Sequence, residues 1–120
     1  MSADQISEIS PAIREVQSSA ADLCATFEIV GSQDKWVQYT KGTINAAYPY
    51  KEPPQLLIEP FVEVQPKLTL NITSWESGKF VTLDFPQGEP VSISKFIDLY
   101  FIGILKCVSD YSVDVTIEEI

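Results

Sequence analysis

Apolar positions in the first part of the chain recur at alternating spacings of three and four: Ile6, Ile9, Ile13, Val16, Ala20, Leu23 and Phe27. That spacing puts them on one face of a helix, and the stripe reads as core packing. Ser10 followed by Pro11 has the form of an N-cap with proline at the first helical position, so the main helix is predicted over 11–23. The pattern then changes. Short apolar segments over 26–30 and 35–40 flank Gly-Ser-Gln-Asp, which predicts a hairpin. Lys41-Gly42 is a second break, and 43–47 a third strand. The proline-rich stretch YPYKEPPQLLIEP follows, with an apolar run at Leu56-Leu57-Ile58 that predicts a buried strand over 55–59. Leu68, Leu70 and Ile72 alternate with Lys67, Thr69 and Asn71, as in a half-buried extended segment.

Ser-Trp-Glu-Ser-Gly reads as a turn, 79–85 as extended, and Pro-Gln-Gly-Glu-Pro as a loop. The second helix has the clearest signal: Ile93, Phe96, Ile97, Tyr100, Phe101, Ile104, Leu105 and Val108 follow helical spacing. Ser92 or Ser94 supplies its cap. Leu99 and Ile102 widen its apolar face, which predicts deep burial or a partner. Val113, Val115 and Ile117 alternate with polar residues, giving a short strand or an extended arm. Helix, antiparallel meander, irregular stretch and helix together predict a single α+β domain over 1–120, its helices against one face of a sheet.

Composition narrows the function classes. Seventeen acidic residues against eight basic ones give a net charge of −9. A nucleic-acid backbone must be neutralised by Lys and Arg, so nucleic acid is not an expected partner, and neither is an anionic membrane surface. A basic protein partner is compatible. The polar start has no hydrophobic signal region and no run is long enough to cross a bilayer, so a cytoplasmic protein is expected, a nuclear location not being excluded by the sequence. Asn71-Ile72-Thr73 is accordingly read as a chance sequon, and Cys24 and Cys107 as reduced thiols. The chain has no histidine, which removes the usual general base, the serine triad and most zinc sites. No glycine-rich phosphate loop appears. No cofactor or metal is expected.

The proline corner carries a family resemblance. Tyr48-Pro49-Tyr50-Lys51-Glu52-Pro53-Pro54 is similar, with one extra residue, to the Tyr-Pro-Phe/Tyr-x-Pro-Pro corner of the ubiquitin-conjugating enzyme superfamily, which leads there into the last strand of a meander. Downstream, Thr69-Leu70-Asn71-Ile72 resembles that family's His-Pro-Asn-Ile. Glu76-Ser77-Gly78-Lys79 resembles its turn, Phe80-Val81-Thr82-Leu83-Asp84 its Ile-Cys-Leu-Asp, and Glu89 to Ile97 the start of its next helix. The likeness spans about Tyr48 to Val108. The catalytic cysteine would fall at Val81 or Thr82, and neither can form a thioester. Cys107 lies in the wrong element, and Asn71 is left as a structural residue.

The resemblance therefore implies an inactive member, such as a ubiquitin-conjugating-enzyme variant (UEV) domain. The UEV of the ESCRT-I complex has a Tyr-Pro-Tyr-x-Pro-Pro corner, then a Val-Lys-Pro similar to Ile58-Glu59-Pro60. Such domains bind ubiquitin and proline-rich peptides in a tyrosine-lined groove, since a preordered polyproline helix loses little entropy on docking. The RWD domain, mostly an interaction scaffold within larger complexes, has a Tyr-Pro-x-x-x-Pro signature met by Tyr48, Pro49 and Pro53. On either resemblance the expected partner is ubiquitin, a proline-rich motif or a complex subunit. The candidate partner-binding residues are Tyr48, Tyr50, Pro54, Trp75 and Phe80. For Tyr48 the plainer reading is a ring that braces the corner. Trp36 is read as strand packing.

Overall fold

The first stripe is buried as its spacing demands: Ile9, Ile13 and Val16 have no exposed surface. The structure is a computed structural model, describing residues 3–64, 71–84, 89–108 and 110–119. Helix α1 is Ala3–Ser18. It starts before the predicted N-cap, and Pro11 takes an interior position, where it contributes no amide donor. The helix stops short of Leu23 because Ala21 N–H bonds to the Ser19 hydroxyl oxygen, a local turn that competes with the helix. Leu23 instead begins β1, Leu23–Ile29.

Strands β2 (Ser32–Thr40) and β3 (Thr43–Ala47) complete the meander. The first turn is Val30-Gly31, tighter than the predicted four-residue loop. Gly31 supplies the left-handed φ of 85° that the turn needs. The remaining loop residues join β2 across a register shift between Glu28 and Ile29.

The segment predicted as a strand over 55–59 is instead part of helix α2, Pro54–Val64. A short apolar run does not distinguish a buried strand from a helix. The deciding signal is Pro53-Pro54, with Pro54 preset for the first helical turn. Pro54 and Ile58, four apart, are both buried, while Leu56 is 67% exposed.

Strands β4 (Asn71–Glu76) and β5 (Phe80–Asp84) form a hairpin. The extended expectation for Leu68 and Leu70, and that for Phe85 with the start of the following loop, lie outside the described residues. Helix α3, Pro90–Leu99, has Glu89 at its N-cap position without a side-chain capping bond, and Ser92 and Ser94 lie within the helix rather than capping it. The Ser94 hydroxyl donates back to the Pro90 carbonyl at 2.6 Å. The helix widens into a π-helical turn, Tyr100–Ile104, closed by the Leu105 amide on the Tyr100 carbonyl at 3.0 Å. Val108, placed on the helical stripe by its spacing, lies beyond that turn and is 68% exposed. Strand β6 is Val113–Glu119.

The protein is α+β. Among the described residues six antiparallel strands run in the order β4-β5-β3-β2-β1-β6. Alternation points Ala25, Phe27, Val37, Ile44, Val81 and Leu83 into one buried layer under the helices. Truncating a buried isoleucine such as Ile13 to alanine would cost about 2–5 kcal/mol. Thr26, Gln38, Asn45 and Thr82 lie on the opposite face, which no described helix covers.

Candidate functional site

The corner after β3 is built by hydrogen bonds that proline cannot make. The Tyr48 amide donates to the Lys79 carbonyl at 3.1 Å, carrying the β3–β5 ladder one residue further. The Gly78 amide donates to the Tyr50 carbonyl at 2.9 Å, so the tip of the β4–β5 hairpin is fastened to the corner. Between these, Pro49 needs no partner and remains exposed.

Tyr48 is fully buried, and its hydroxyl donates to the Glu52 carbonyl at 2.6 Å, closing the turn on itself. Burial raises its pKa, with smaller contributions from Glu52 and Tyr50. The ring is therefore a brace. Two other aromatics stand edge-on to it: Tyr50 at 5.6 Å and Trp75 at 6.3 Å between ring centroids. Tyr50 is half-buried, and its hydroxyl donates to the Ile104 carbonyl at the end of the π-helical turn. Trp75 is not in a turn. It lies on β4 opposite Val81, on the helix-bearing side of the sheet, and 36% of it is exposed.

Of the predicted residues, Tyr48, Tyr50 and Trp75 thus form one cluster. Pro54 is buried at the start of α2. Phe80 is not part of the cluster, because it pairs with Glu76 and Ala47 and points to the opposite face. Pro49 and Pro53 are exposed at the corner, and Leu56, whose amide donates to the Pro53 carbonyl at 3.1 Å, is exposed at the start of α2. Assigning Leu56 to a buried strand hides it from a reading of the sequence, although its offset from Pro54 and Ile58 carries the helical signal.

The positions where a catalytic cysteine would fall are occupied by structure. Val81 is fully buried, and the Thr82 hydroxyl donates to the Asn45 side-chain oxygen at 2.6 Å. Cys107 is half-buried beyond α3, and its thiol pKa is raised mainly by that burial. A raised pKa reduces the thiolate fraction on which nucleophilicity depends. Cys107, Lys35, Lys106 and Tyr111 border an open cleft of about 420 Å³ near the β1–β2 turn. Among the described residues no three His, Cys, Asp or Glu side chains are grouped to hold a metal. No described helix is long and apolar enough to cross a membrane.

The class defined by these observations is an α+β domain with an antiparallel sheet, helices on one face and an aromatic proline corner at one end. No family model, curated protein or solved structure matches the chain.

Proposed function

We propose that this protein is a non-catalytic binding module that takes a short proline-rich protein segment at the corner, in the manner of an inactive ubiquitin-conjugating-like domain. The observation that carries this reading is the exposure of Trp75 edge-on to the buried Tyr48 ring, in a corner whose Pro49 and Pro53 are also exposed. A rigid aromatic surface loses little entropy on binding, and a polyproline segment loses little as well. The support comes from the surface, since the segment after the corner is helical where the resembled enzymes continue into a strand. Ubiquitin is the alternative occupant of the same surface.

The test is an NMR titration of the chain with a Pro-Thr-Ala-Pro peptide and, separately, with ubiquitin. Shifts centred on Tyr50, Leu56 and Trp75, lost in Trp75→Ala, are expected for one of them. Silence from both at millimolar ligand, or shifts unaffected by Trp75→Ala, would overturn the reading. A reducible adduct with ubiquitin in a charging assay would overturn its non-catalytic part.

A further inference from the structure

The face of the sheet that no described helix covers carries a row in which carboxylates flank aromatic side chains. Strand pairing sets Asp114 beside Glu28, Glu28 beside Trp36, Ala47 beside Phe80, and Phe80 beside Glu76. Ala47 continues the β2–β3 register one step past the Val37–Ala46 pair, which places it opposite Trp36. The row therefore reads acid, acid, Trp, Ala, Phe, acid across all six strands. Trp36 and Phe80 are half-buried, and no described helix lies over them.

Two features set this row apart from its neighbour, the neutral line of Thr26, Gln38, Asn45 and Thr82 on the same face. Its centre is aromatic on a surface that could be wholly polar. Its flank puts two carboxylates, Glu28 and Asp114, directly opposite each other, an arrangement that destabilises a sheet. Among the described residues neither forms an ion pair, whereas Glu76 is bridged by Lys79 at 3.4 Å. An open cleft of about 630 Å³ bordered by Glu28, Asp34 and Asp114 extends the acidic flank toward the β1–β2 turn.

We infer that this row is a docking surface for an extended protein segment carrying a cationic side chain and an apolar one. The apolar residue sits against the half-buried rings of Trp36 and Phe80, which lie on either side of Ala47, itself only 4% exposed. The cation lies over the indole face of Trp36, where the ring quadrupole attracts it, and its donors reach Glu28 and Asp114. Arginine suits the place better than lysine, because its planar fork both stacks and bonds to carboxylate. Adjacent strands are about 5 Å apart, so Ala47 and Glu28 are separated by about 10 Å. A segment in the extended polyproline II conformation rises about 3.1 Å per residue and returns every third side chain to the same face, so its residues i and i+3 span that distance. The fitting pattern is therefore Arg-x-x-Leu. This surface is separate from the corner bearing Trp75, and neither proposal depends on the other.

The test uses the full chain and two synthetic peptides, acetyl-Arg-Ala-Ala-Leu-Ala-Ala-Arg-amide and its counterpart with glutamate for arginine. The arginine peptide is expected to shift the NMR signals of Glu28, Trp36, Ala47 and Phe80, and to bind more weakly as salt is raised. The double variant Glu28→Gln, Asp114→Asn, whose fold is checked by circular dichroism, is expected to weaken binding roughly tenfold, the combined effect of two exposed charge contacts. Equal binding of the glutamate peptide, shifts confined to Leu56 and Trp75, unaltered binding by the double variant, or no shifts at millimolar peptide would each overturn the proposal.

Discussion

Tyr100, at the end of α3, donates its hydroxyl to the backbone carbonyl of Ala47, the final residue of β3, at 2.6 Å within the core. One side chain thus ties the end of α3 to the strand that leads into the proline corner. Tyr100→Phe keeps the ring and deletes the donor, leaving a buried carbonyl short of a partner. The expected cost is about 1–3 kcal/mol. Urea denaturation should show a lower midpoint with an unchanged slope, and an unchanged midpoint would mean that the bond contributes nothing net.

A second buried pair makes a sharper test. The Tyr111 hydroxyl donates to one carboxylate oxygen of Asp98 at 2.8 Å, while the other oxygen, also buried, has no hydrogen-bond partner among the described residues. Tyr111→Phe removes that donor and should cost about 1–3 kcal/mol. Replacing both groups, as Asp98→Leu with Tyr111→Phe, removes the desolvated carboxylate as well and should recover much of the loss. A double-mutant cycle in urea measures this, and additive losses would contradict it.

Alkaline pH should unfold this protein. Burial pushes the pKa values of Tyr100 and Tyr111 above the ordinary tyrosine value, and that of Tyr48 is raised as well. Below pH of about 10, folded and unfolded chains both keep these protons, and the tyrosines' contribution is complete. As pH rises further, the unfolded chain ionises first, so stability is lost progressively toward the higher folded-state values. Thermal melts across this range should show Tm falling, and Tyr111→Phe should make the fall shallower.

Two turn positions offer opposite substitutions. Lys106 adopts a φ of 60°, and the Cys107 amide beside it donates to the Phe101 carbonyl at 2.9 Å, turning the chain away just past the π-helical turn. Lys106→Gly should relieve the left-handed strain and stabilise by up to about 1 kcal/mol. Gly78 has a φ of 73°, with open space where a Cβ would stand. Gly78→Ala should therefore cost about 1 kcal/mol from the backbone alone. Paired thermal melts would show Tm moving in opposite directions.

Sustained periodicity makes the larger elements legible in the sequence. The stripe through Ile9, Ile13 and Val16, the meander, and the buried series from Ile93 to Leu105 all lie where spacing places them. The alternation of Val113, Val115 and Ile117 corresponds to strand β6. Short segments are decided by local chemistry that outweighs pattern. Leu56 to Ile58 reads apolar in either state, and the preceding prolines select the helix. The corner cluster is legible in part, because Tyr48 and Tyr50 announce themselves beside proline. Trp75 belongs to a strand rather than the expected turn, and Phe80 to the face away from the cluster. Which side of a sheet a residue takes depends on pairing register, and a shift of one residue reverses it.

The pairing of β1 with β6, Leu23 against Glu119, also governs time. The β1–β2–β3 hairpins close over short loops, and so do β4 and β5. Joining β1 to β6 requires a loop that contains nearly every other element, and loop closure of that kind slows folding more than it weakens the folded state. Refolding should accordingly run in two stages, a fast meander and a slow arrival of β6. In the interval the edge of β1 stands open to any other extended chain.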